Sequence, residues 1–426
     1  MLDHPSSPST AIQDAWNLVA KGLTDQAEHA FSSLLHGSDR SAALEGLGAV
    51  ATRRGDISRA ADLFAQACEA SPNRAMPHYQ LGVAMIALGR AEPALRALSR
   101  CVELDPALSE GWFNLGSLHR QLGRFADAVP CFRRAAEGRV GDVARLALVA
   151  TLRSGGSADE AISVAREMLS ARESWPEAWH ELGLCLAAKG DVLTAISCWE
   201  RSIELAPTAT EPRFHLGVAH ASIGSIDKGV AEYRMVLERS PDHARARINL
   251  AGAMIHQGDL DGAERELERV LRSPAPEAPM ALVALGDLMM RRGDAATAER
   301  RYRDAIGRMP REARPRVGLI ASLLEQDRGE DALVESERFA RELPDRPEIG
   351  ECRAEALLFL GRIPEAVSQI DQVVSRHGPN VLRFCLRGRV LEAAGDRNGA
   401  IAAYDAALAI DPRFIGAIEG RARLGA

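Results

Sequence analysis

Lysine and aromatic residues are scarce in this chain of 426 residues. Lysine occurs only at Lys21, Lys189 and Lys228, so arginine supplies nearly all of the 52 basic side chains. Such arginine usage is typical of GC-rich coding sequence, and we expect a bacterial source; the guanidinium also suits bidentate contacts with carboxylates. Aromatic residues make up 4% of the chain against 36 glycines. This composition favours helices packed closely through small residues over β-sandwiches or large mixed cores.

Signals for export, membrane insertion and disulfide formation are also lacking. The start of the chain, MLDHPSSPST, is polar and has neither the basic nor the apolar region of a signal peptide. No run of about 18 apolar residues occurs. The seven cysteines are scattered without a CxxC pair, which is typical of buried thiols in a reducing compartment. We therefore expect a cytoplasmic protein without membrane insertion. The net charge of −7 does not indicate a nucleic-acid partner.

Motifs for metal binding, nucleotide binding and catalysis are absent or lack their required context. The eleven histidines form no HExxH motif and no pair at i and i+4, and no cysteine cluster has zinc-site spacing. The string from Gly46 to Ala51 matches GxGxxA, but it lies within a predicted helix, whereas a dinucleotide site needs a preceding strand. GxxxxGK[ST] and GxSxG do not occur. We expect no enzyme activity, no cofactor and no metal.

A unit of 33 to 35 residues repeats along almost the whole chain. It is clearest from Ser109 to Glu137, where Trp112 and Leu115 recur at helical spacing, Gly123 marks a turn, and Phe132 belongs to a second helix. The turn glycine is present in eleven of twelve units, and the tenth has Asp327 instead. Units begin near Pro8, Ser41, Ala75, Ser109, Asp142, Pro176, Thr210, Ala244, Pro279, Ala313, Pro347 and Val381.

A tryptophan, a Leu-Gly pair, then alanine, an aromatic and alanine at these intervals resemble the tetratricopeptide repeat (TPR), a helix-turn-helix unit of about 34 residues. The resemblance implies an all-α, right-handed superhelical solenoid whose first helices line an inner groove. We expect disorder over 1–7, eight repeats over 8–278 with the first degenerate, four repeats over 279–414, and a capping helix over 415–426. The division after 278 is placed at the proline-rich stretch SPAPEAP.

The function implied by this resemblance is non-catalytic protein binding, as a scaffold or adaptor that holds a partner segment in the groove. An apolar track follows the inner face, and charges change along it from arginines such as Arg53 to the later Glu325, Glu348, Glu351 and Glu355. Other inner-facing positions include Val218, Ile255, Val283, Asp287 and Arg291. The predicted groove residues are Tyr79, Val83, Ile86, Phe113, Asn114, Arg120, Arg153, His180, Phe214, His215 and Asn249.

Two alternatives remain open at this point. One is self-assembly, with Ile12, Trp16 and Val19 of the degenerate first unit docking onto another copy. The other is an accessory subunit that recruits substrates to a separate modifying enzyme, of the glycosyl- or sulfotransferase type. Some TPR arrays that serve glycosyltransferases carry an inner-face asparagine in most units, whereas only Asn114 and Asn249 fit here.

Overall fold

The structure is a computed structural model that describes residues 9–425, and these residues contain helices and no strand. The expected all-α class is therefore confirmed. The disorder predicted over 1–7 and the last residue of the predicted capping helix lie outside the described residues. Contacts divide the chain into two compact units, one up to Pro212 and one from Arg213.

Helices of the first unit follow one another in pairs joined by tight turns. They are α1 (Thr10–Ala20), α2 (Thr24–Ser33), α3 (Arg40–Arg53), α4 (Ile57–Ala70), α5 (Ala75–Ala87), α6 (Ala91–Leu104), α7 (Ser109–Gln121), α8 (Phe125–Ala135), α9 (Gly141–Ser154), α10 (Ala158–Ala171), α11 (Pro176–Ala188) and α12 (Val192–Leu205). The division between the units falls inside α13 (Thr210–Ser222).

Helices of the second unit continue the same pattern. They are α14 (Ile226–Arg239), α15 (Ala244–Gln257), α16 (Leu260–Arg272), α17 (Ala278–Arg291), α18 (Ala295–Arg308), α19 (Arg314–Glu325), α20 (Gly329–Glu342), α21 (Pro347–Phe359), α22 (Ile363–His377), α23 (Val381–Ala393), α24 (Arg397–Ile410) and α25 (Ile415–Arg423). The predicted final helix is α25.

A glycine in the left-handed region reverses the chain between the two helices of a pair. Gly55, for example, has a φ of 81°, a conformation that costs a side chain with a Cβ about 1–2 kcal/mol. The next residue, Asp56, donates its backbone N–H to the carbonyl of Ala51 and accepts the N–H of Arg59 at 3.0 Å, so it closes α3 and caps α4. In the tenth repeat Asp327 takes the left-handed conformation instead, with a φ of 60°.

Close approach of glycine backbones to aromatic rings builds the core between neighbouring pairs. Tyr302 of α18 is 2% exposed, and Cβ atoms added at Gly286 of α17 or Gly318 of α19 would each lie 2.5 Å from its ring. The aromatic side chains expected to hold the second helices together are buried in both units, each contributing about 1.5–3 kcal/mol. They are Phe64, Phe132, Trp199, Tyr233, Tyr302 and Tyr404.

The proline-rich stretch SPAPEAP does not separate two stacks. Residues 273–277 of this stretch connect α16 to α17, and Ala278 and Pro279 begin α17. Leu267 of α16 shares one buried cluster with Leu285 of α17. Prolines in a connection leave the flanking helices free to pack, because they remove no hydrogen bond from a helix interior. The two units divide near Pro212 rather than after residue 278, where the sequence had placed the division.

Candidate functional site

First helices of the second unit enclose a cleft of about 820 Å³ with a largely apolar lining. We call it the apolar cleft. Val218 and Met280 on its walls are 37% and 52% exposed, so apolar surface of the cleft is open to water. Its lining includes Val218, Ala221, Ile248, Asn249, Gly252, Ile255, Met280, Val283, Ala284, Asp287, Arg291 and Arg314.

The floor of the apolar cleft is open because Gly252 lies there without a side chain. Gly252 is in the middle of α15, where glycine costs about 0.5–1 kcal/mol relative to alanine. A Cβ at this position would have no atom of the protein within 4 Å. No packing within the chain therefore accounts for this glycine, and its backbone is accessible to a ligand.

A carboxylate on the wall of the cleft is held by two neighbours. The Tyr302 hydroxyl donates a hydrogen bond of 2.7 Å to Asp287, and Arg314 donates one of 2.8 Å to the other carboxylate oxygen. Burial and the Asp287 charge both raise the pKa of Tyr302. Asn249 hydrogen-bonds to Tyr233, whose pKa is raised to about 12 by burial despite that bond. These polar groups of the cleft are therefore hydrogen-bonded within the chain.

A second cleft of about 690 Å³ lies between α19, α21, α23 and α25. We call it the acidic cleft, because Glu348, Glu351, Glu355 and Glu419 line it beside Val317, Leu382, Leu386 and Phe414. Arg383 is buried behind it and donates a hydrogen bond of 2.8 Å to Glu351. Burial raises the pKa of Glu351, and Arg383 opposes that shift.

Predicted groove residues of the first unit lie on first helices, but several of them contact other residues of the same unit. Asn114 donates a hydrogen bond of 3.2 Å to the hydroxyl of Tyr79, and Phe113 contacts the edge of Phe132 at 5.7 Å between ring centroids. Ile86 is half-buried against the cluster formed by α6 and α7, and Val83 is exposed. The apolar track therefore exists here mainly as packing between neighbouring first helices.

Charged residues of the predicted groove form a half-buried group on α9 and α11. A guanidinium nitrogen of Arg153 lies 3.6 Å from a carboxylate oxygen of Glu181, whose pKa burial raises. Burial and the Arg153 charge lower the pKa of His180 to about 4, so its imidazole is neutral at pH 7. Arg120 lies exposed at the end of α7. The structure thus brings Arg153 and His180 together.

Two neighbouring residues predicted to line the groove, Phe214 and His215, are buried and half-buried. Phe214 is 2% exposed, because Arg245 from the next first helix lies over its ring at 4.5 Å and Tyr233 packs beside it. Its neighbour His215 is half-buried with its ring 5.2 Å from that of Phe214. Phe214 therefore belongs to the core and not to a binding surface.

The residues predicted to form a self-association surface, Ile12, Trp16 and Val19, are buried or half-buried. Ile12 and Val19 are 2% and 5% exposed in a cluster with Leu47 and Val50 of α3. Trp16 is half-buried with its ring edge against Phe31. The apolar face of α1 is covered by α3 of the next repeat, so these apolar residues are explained by packing within the chain.

The sequence predicted part of the lining of the apolar cleft. It includes the predicted groove residue Asn249 and five other positions predicted to face inwards, Val218, Ile255, Val283, Asp287 and Arg291. Gly252, Met280 and Ala284 were not predicted. The signal that could have found them is Gly252 itself. The repeat's own small residue in that helix is Ala251, which is fully buried, so a second small residue beside it has no structural purpose.

Two kinds of feature are absent from residues 9–425. No helix in this range is long and apolar enough to cross a membrane. Within the same range, no three His, Cys, Asp or Glu side chains are grouped so that they could hold a metal ion.

Comparisons with known proteins find the same repeat in both units. A family model for the C-terminal domain of cilia and flagella-associated protein 70 matches residues 9–213. Models described as tetratricopeptide repeat match residues 224–285, 279–304 and 353–413. These matches support the resemblance on which the fold was predicted.

Two curated relatives match only part of this chain and are themselves longer than it. BBS4 from Bos taurus, a BBSome complex member, is 22% identical over 196 residues, 46% of this chain and 31% of that protein. The tetratricopeptide repeat-containing protein trd-1 of Caenorhabditis elegans is 28% identical over 153 residues, 35% of this chain and 20% of that protein. The matched part of this chain thus spans less than a third of either relative.

A solved structure shares the fold. The crystal structure of yeast Tom70 is 13% identical, with a TM-score of 0.52 over 90% of this chain and 95% of that chain. At this identity the likeness establishes the helical repeat architecture alone.

Proposed function

We propose, on the premise that the chain is an all-α stack of tetratricopeptide repeats, that it is a non-catalytic scaffold that binds a segment of a partner protein. The observation that carries this proposal is the apolar cleft of about 820 Å³ on the first-helix face of the second unit. Its volume lies in the range of sites that enclose a ligand.

An empty apolar cleft leaves apolar surface in contact with water, which is unfavourable. Met280 and Val218 expose apolar surface to water, and each Å² covered by a partner is worth about 25 cal/mol. Gly252 lowers the stability of its own helix without helping the chain to pack. Both features are explained if an apolar side chain of a partner enters the cleft.

Relatives support a scaffold role at a coarse level. The bovine relative is described as a member of a complex. The cleft walls are built from helices that pack against one another, so the surface is formed before a partner binds. We further propose that the protein acts in the cytoplasm without a cofactor, supported by seven buried free thiols. The bacterial source stays a prediction.

Affinity purification with the full chain tests the proposal. Gly252→Phe fills the cleft from its floor, whereas Gly252→Ala is the matched control that leaves it open. We expect partner proteins from cells that encode the chain to be captured by the wild type and by Gly252→Ala, and to be lost with Gly252→Phe. Circular dichroism checks that each variant is folded.

Variants of the first unit complete the experiment. Tyr79→Ala, Phe113→Ala and Arg120→Glu alter the predicted groove of the other unit. If Gly252→Phe captures every partner of the wild type, and these three variants do so as well, the first-helix faces are not the binding site.

A further inference from the structure

The apolar cleft and the acidic cleft are neighbouring parts of one surface. Arg314, at the start of α19, lines both of them. Its guanidinium is bound to Asp287 at 2.8 Å, so the boundary between the two clefts carries a neutralised pair. A single extended segment can therefore contact both clefts in succession.

Cations that line the acidic cleft are already paired within the chain. Arg389 lies 3.0 Å from Glu355, and Arg423 lies 3.1 Å from Glu392. Arg314 is paired as described above. Each of these guanidiniums has its charge compensated, so none is available for an anionic ligand without breaking an existing contact.

Two carboxylates in the acidic cleft have no such compensation. Glu348 at the start of α21 and Glu419 on α25 are exposed and have no ion-pair partner among residues 9–425. Burial raises the pKa of Glu351 in the same cleft, Arg383 opposes that shift, and the charges of Glu348 and Glu355 add to it. A cation placed in this cleft would relieve that repulsion, whereas an anion would increase it.

The apolar cleft has no excess of unpaired charge. Arg291, at the end of α17, and Glu312, in the connection before α19, both line it, are exposed and have no ion-pair partner in the part of the chain that the structure describes. A basic end of a bound segment is therefore favoured near Glu348 and Glu419 over the apolar cleft.

From this charge pattern we infer that the second unit binds an extended partner segment in which large apolar side chains are joined to a run of arginine or lysine. The apolar side chains enter the cleft above Gly252, between Met280 and Val283. The basic side chains lie against Glu348 and Glu419. The chain's net charge of −7 also favours the approach of such a segment. This inference rests on the proposed function and specifies the chemistry of the partner.

Fluorescence anisotropy with labelled synthetic peptides tests the inference on the full chain. The main probe joins a Leu-Phe-Leu stretch to an Arg-Arg-Arg run. In one matched probe glutamates replace the arginines, and in another serines replace the apolar residues. We expect the main probe to bind, and both matched probes to bind at least about tenfold more weakly, with affinity falling as salt rises.

Protein variants locate the contacts. Gly252→Phe should weaken the main probe about tenfold or more, while Gly252→Ala leaves it unchanged within about twofold. Glu348→Lys combined with Glu419→Lys should weaken it about tenfold and improve binding of the glutamate probe. Glu238→Lys is the control, since Glu238 is an exposed carboxylate on α14 outside both clefts.

Three outcomes would overturn the inference. The first is no detectable binding of the main probe, and the second is equal binding of the arginine and glutamate probes. The third is self-association of the wild-type chain, seen by light scattering and abolished by Gly252→Phe, because the occupant would then be a second copy.

Failure of the inference can be told apart from failure of the proposed function. If Gly252→Phe abolishes capture of partner proteins but the peptides show no charge preference, the scaffold proposal stands and the inferred partner chemistry is wrong. If capture is indifferent to every first-helix variant, both are wrong.

Discussion

Gly252 and Gly286 lie in successive first helices, yet the lack of a side chain has opposite consequences at the two positions. A Cβ at Gly286 would lie 2.5 Å from the ring of Tyr302, whereas a Cβ at Gly252 would have no neighbour within 4 Å. Gly286 is required by the packing of α17 against α18. Gly252 is not required by any contact within the protein.

This difference predicts opposite effects of the same substitution. Gly286→Ala should lower the free energy of unfolding by about 1–3 kcal/mol, because the ring of Tyr302 must shift in a closely packed core. Gly252→Ala should raise it by about 0.5–1 kcal/mol, because alanine is the better helix former. Urea unfolding followed by circular dichroism measures both. Equal effects of the two substitutions would contradict the assignment of Gly252 to an open cleft floor.

At the scale of helices, an ion pair connects α21 and α23. Arg383 is 6% exposed and donates hydrogen bonds to Glu351 and to the carbonyl of Gly378. Burial raises the pKa of Glu351 above its usual value, with Arg383 opposing. The folded state therefore holds this proton more tightly than the unfolded state. The stability that Glu351 contributes is greatest below its unfolded pKa and is lost as pH rises through its folded pKa.

Removing the guanidinium should therefore destabilise the protein more at neutral than at acid pH. Arg383→Met leaves a desolvated carboxylate, and we expect a loss of about 3 kcal/mol at neutral pH and a smaller loss near pH 4, where Glu351 is protonated. Urea unfolding at the two pH values measures the difference.

Two further variants control for other causes. Arg383→Met combined with Glu351→Gln should recover part of the stability at neutral pH, since no charge is then left buried. Arg389→Met breaks the exposed pair with Glu355 and should cost less than about 1 kcal/mol. A loss with Arg383→Met that is independent of pH would show that the carbonyl of Gly378, rather than Glu351, is the important partner.

The elements themselves were largely predictable, because they depend on local signals. Helical spacing of residues such as Trp112 and Leu115, and glycines such as Gly123 in the left-handed region, specify the helices and their turns. The surfaces were less predictable, because they depend on contacts between repeats. Phe214 is buried because Arg245 from the next repeat covers it, and Ile12 is buried because α3 packs over it.

The binding surface was the hardest feature to predict, for a related reason. A repeat pattern shows which side chains the stack needs, but a cleft arises where side chains are missing. Gly252, Ala284 and Ala221 leave the space that Met280 and Ile255 surround. Only when these helices are placed side by side does the space become visible.

On the scale of the whole molecule, the two units can be observed separately because all five tryptophans lie in the first one. They are Trp16, Trp112, Trp175, Trp179 and Trp199. Tryptophan fluorescence therefore reports on the first unit, whereas circular dichroism reports on the helices of both. In a repeat stack each repeat contacts only its neighbours, so a destabilised repeat lowers the stability of the adjacent repeats first.

Substitutions of equivalent glycines then predict separable unfolding transitions. Gly286→Ala, in the second unit, should shift the urea midpoint measured by circular dichroism and leave the fluorescence midpoint unchanged. Gly183→Ala, whose Cβ would meet the ring of Trp199 in the first unit, should shift the fluorescence midpoint. The physical reason is that the stabilising contacts join adjacent helices, and no single core connects all the repeats. If Gly286→Ala moves both midpoints together, the two units unfold as one cooperative structure, and a ligand in the apolar cleft would stabilise the whole chain rather than the second unit alone.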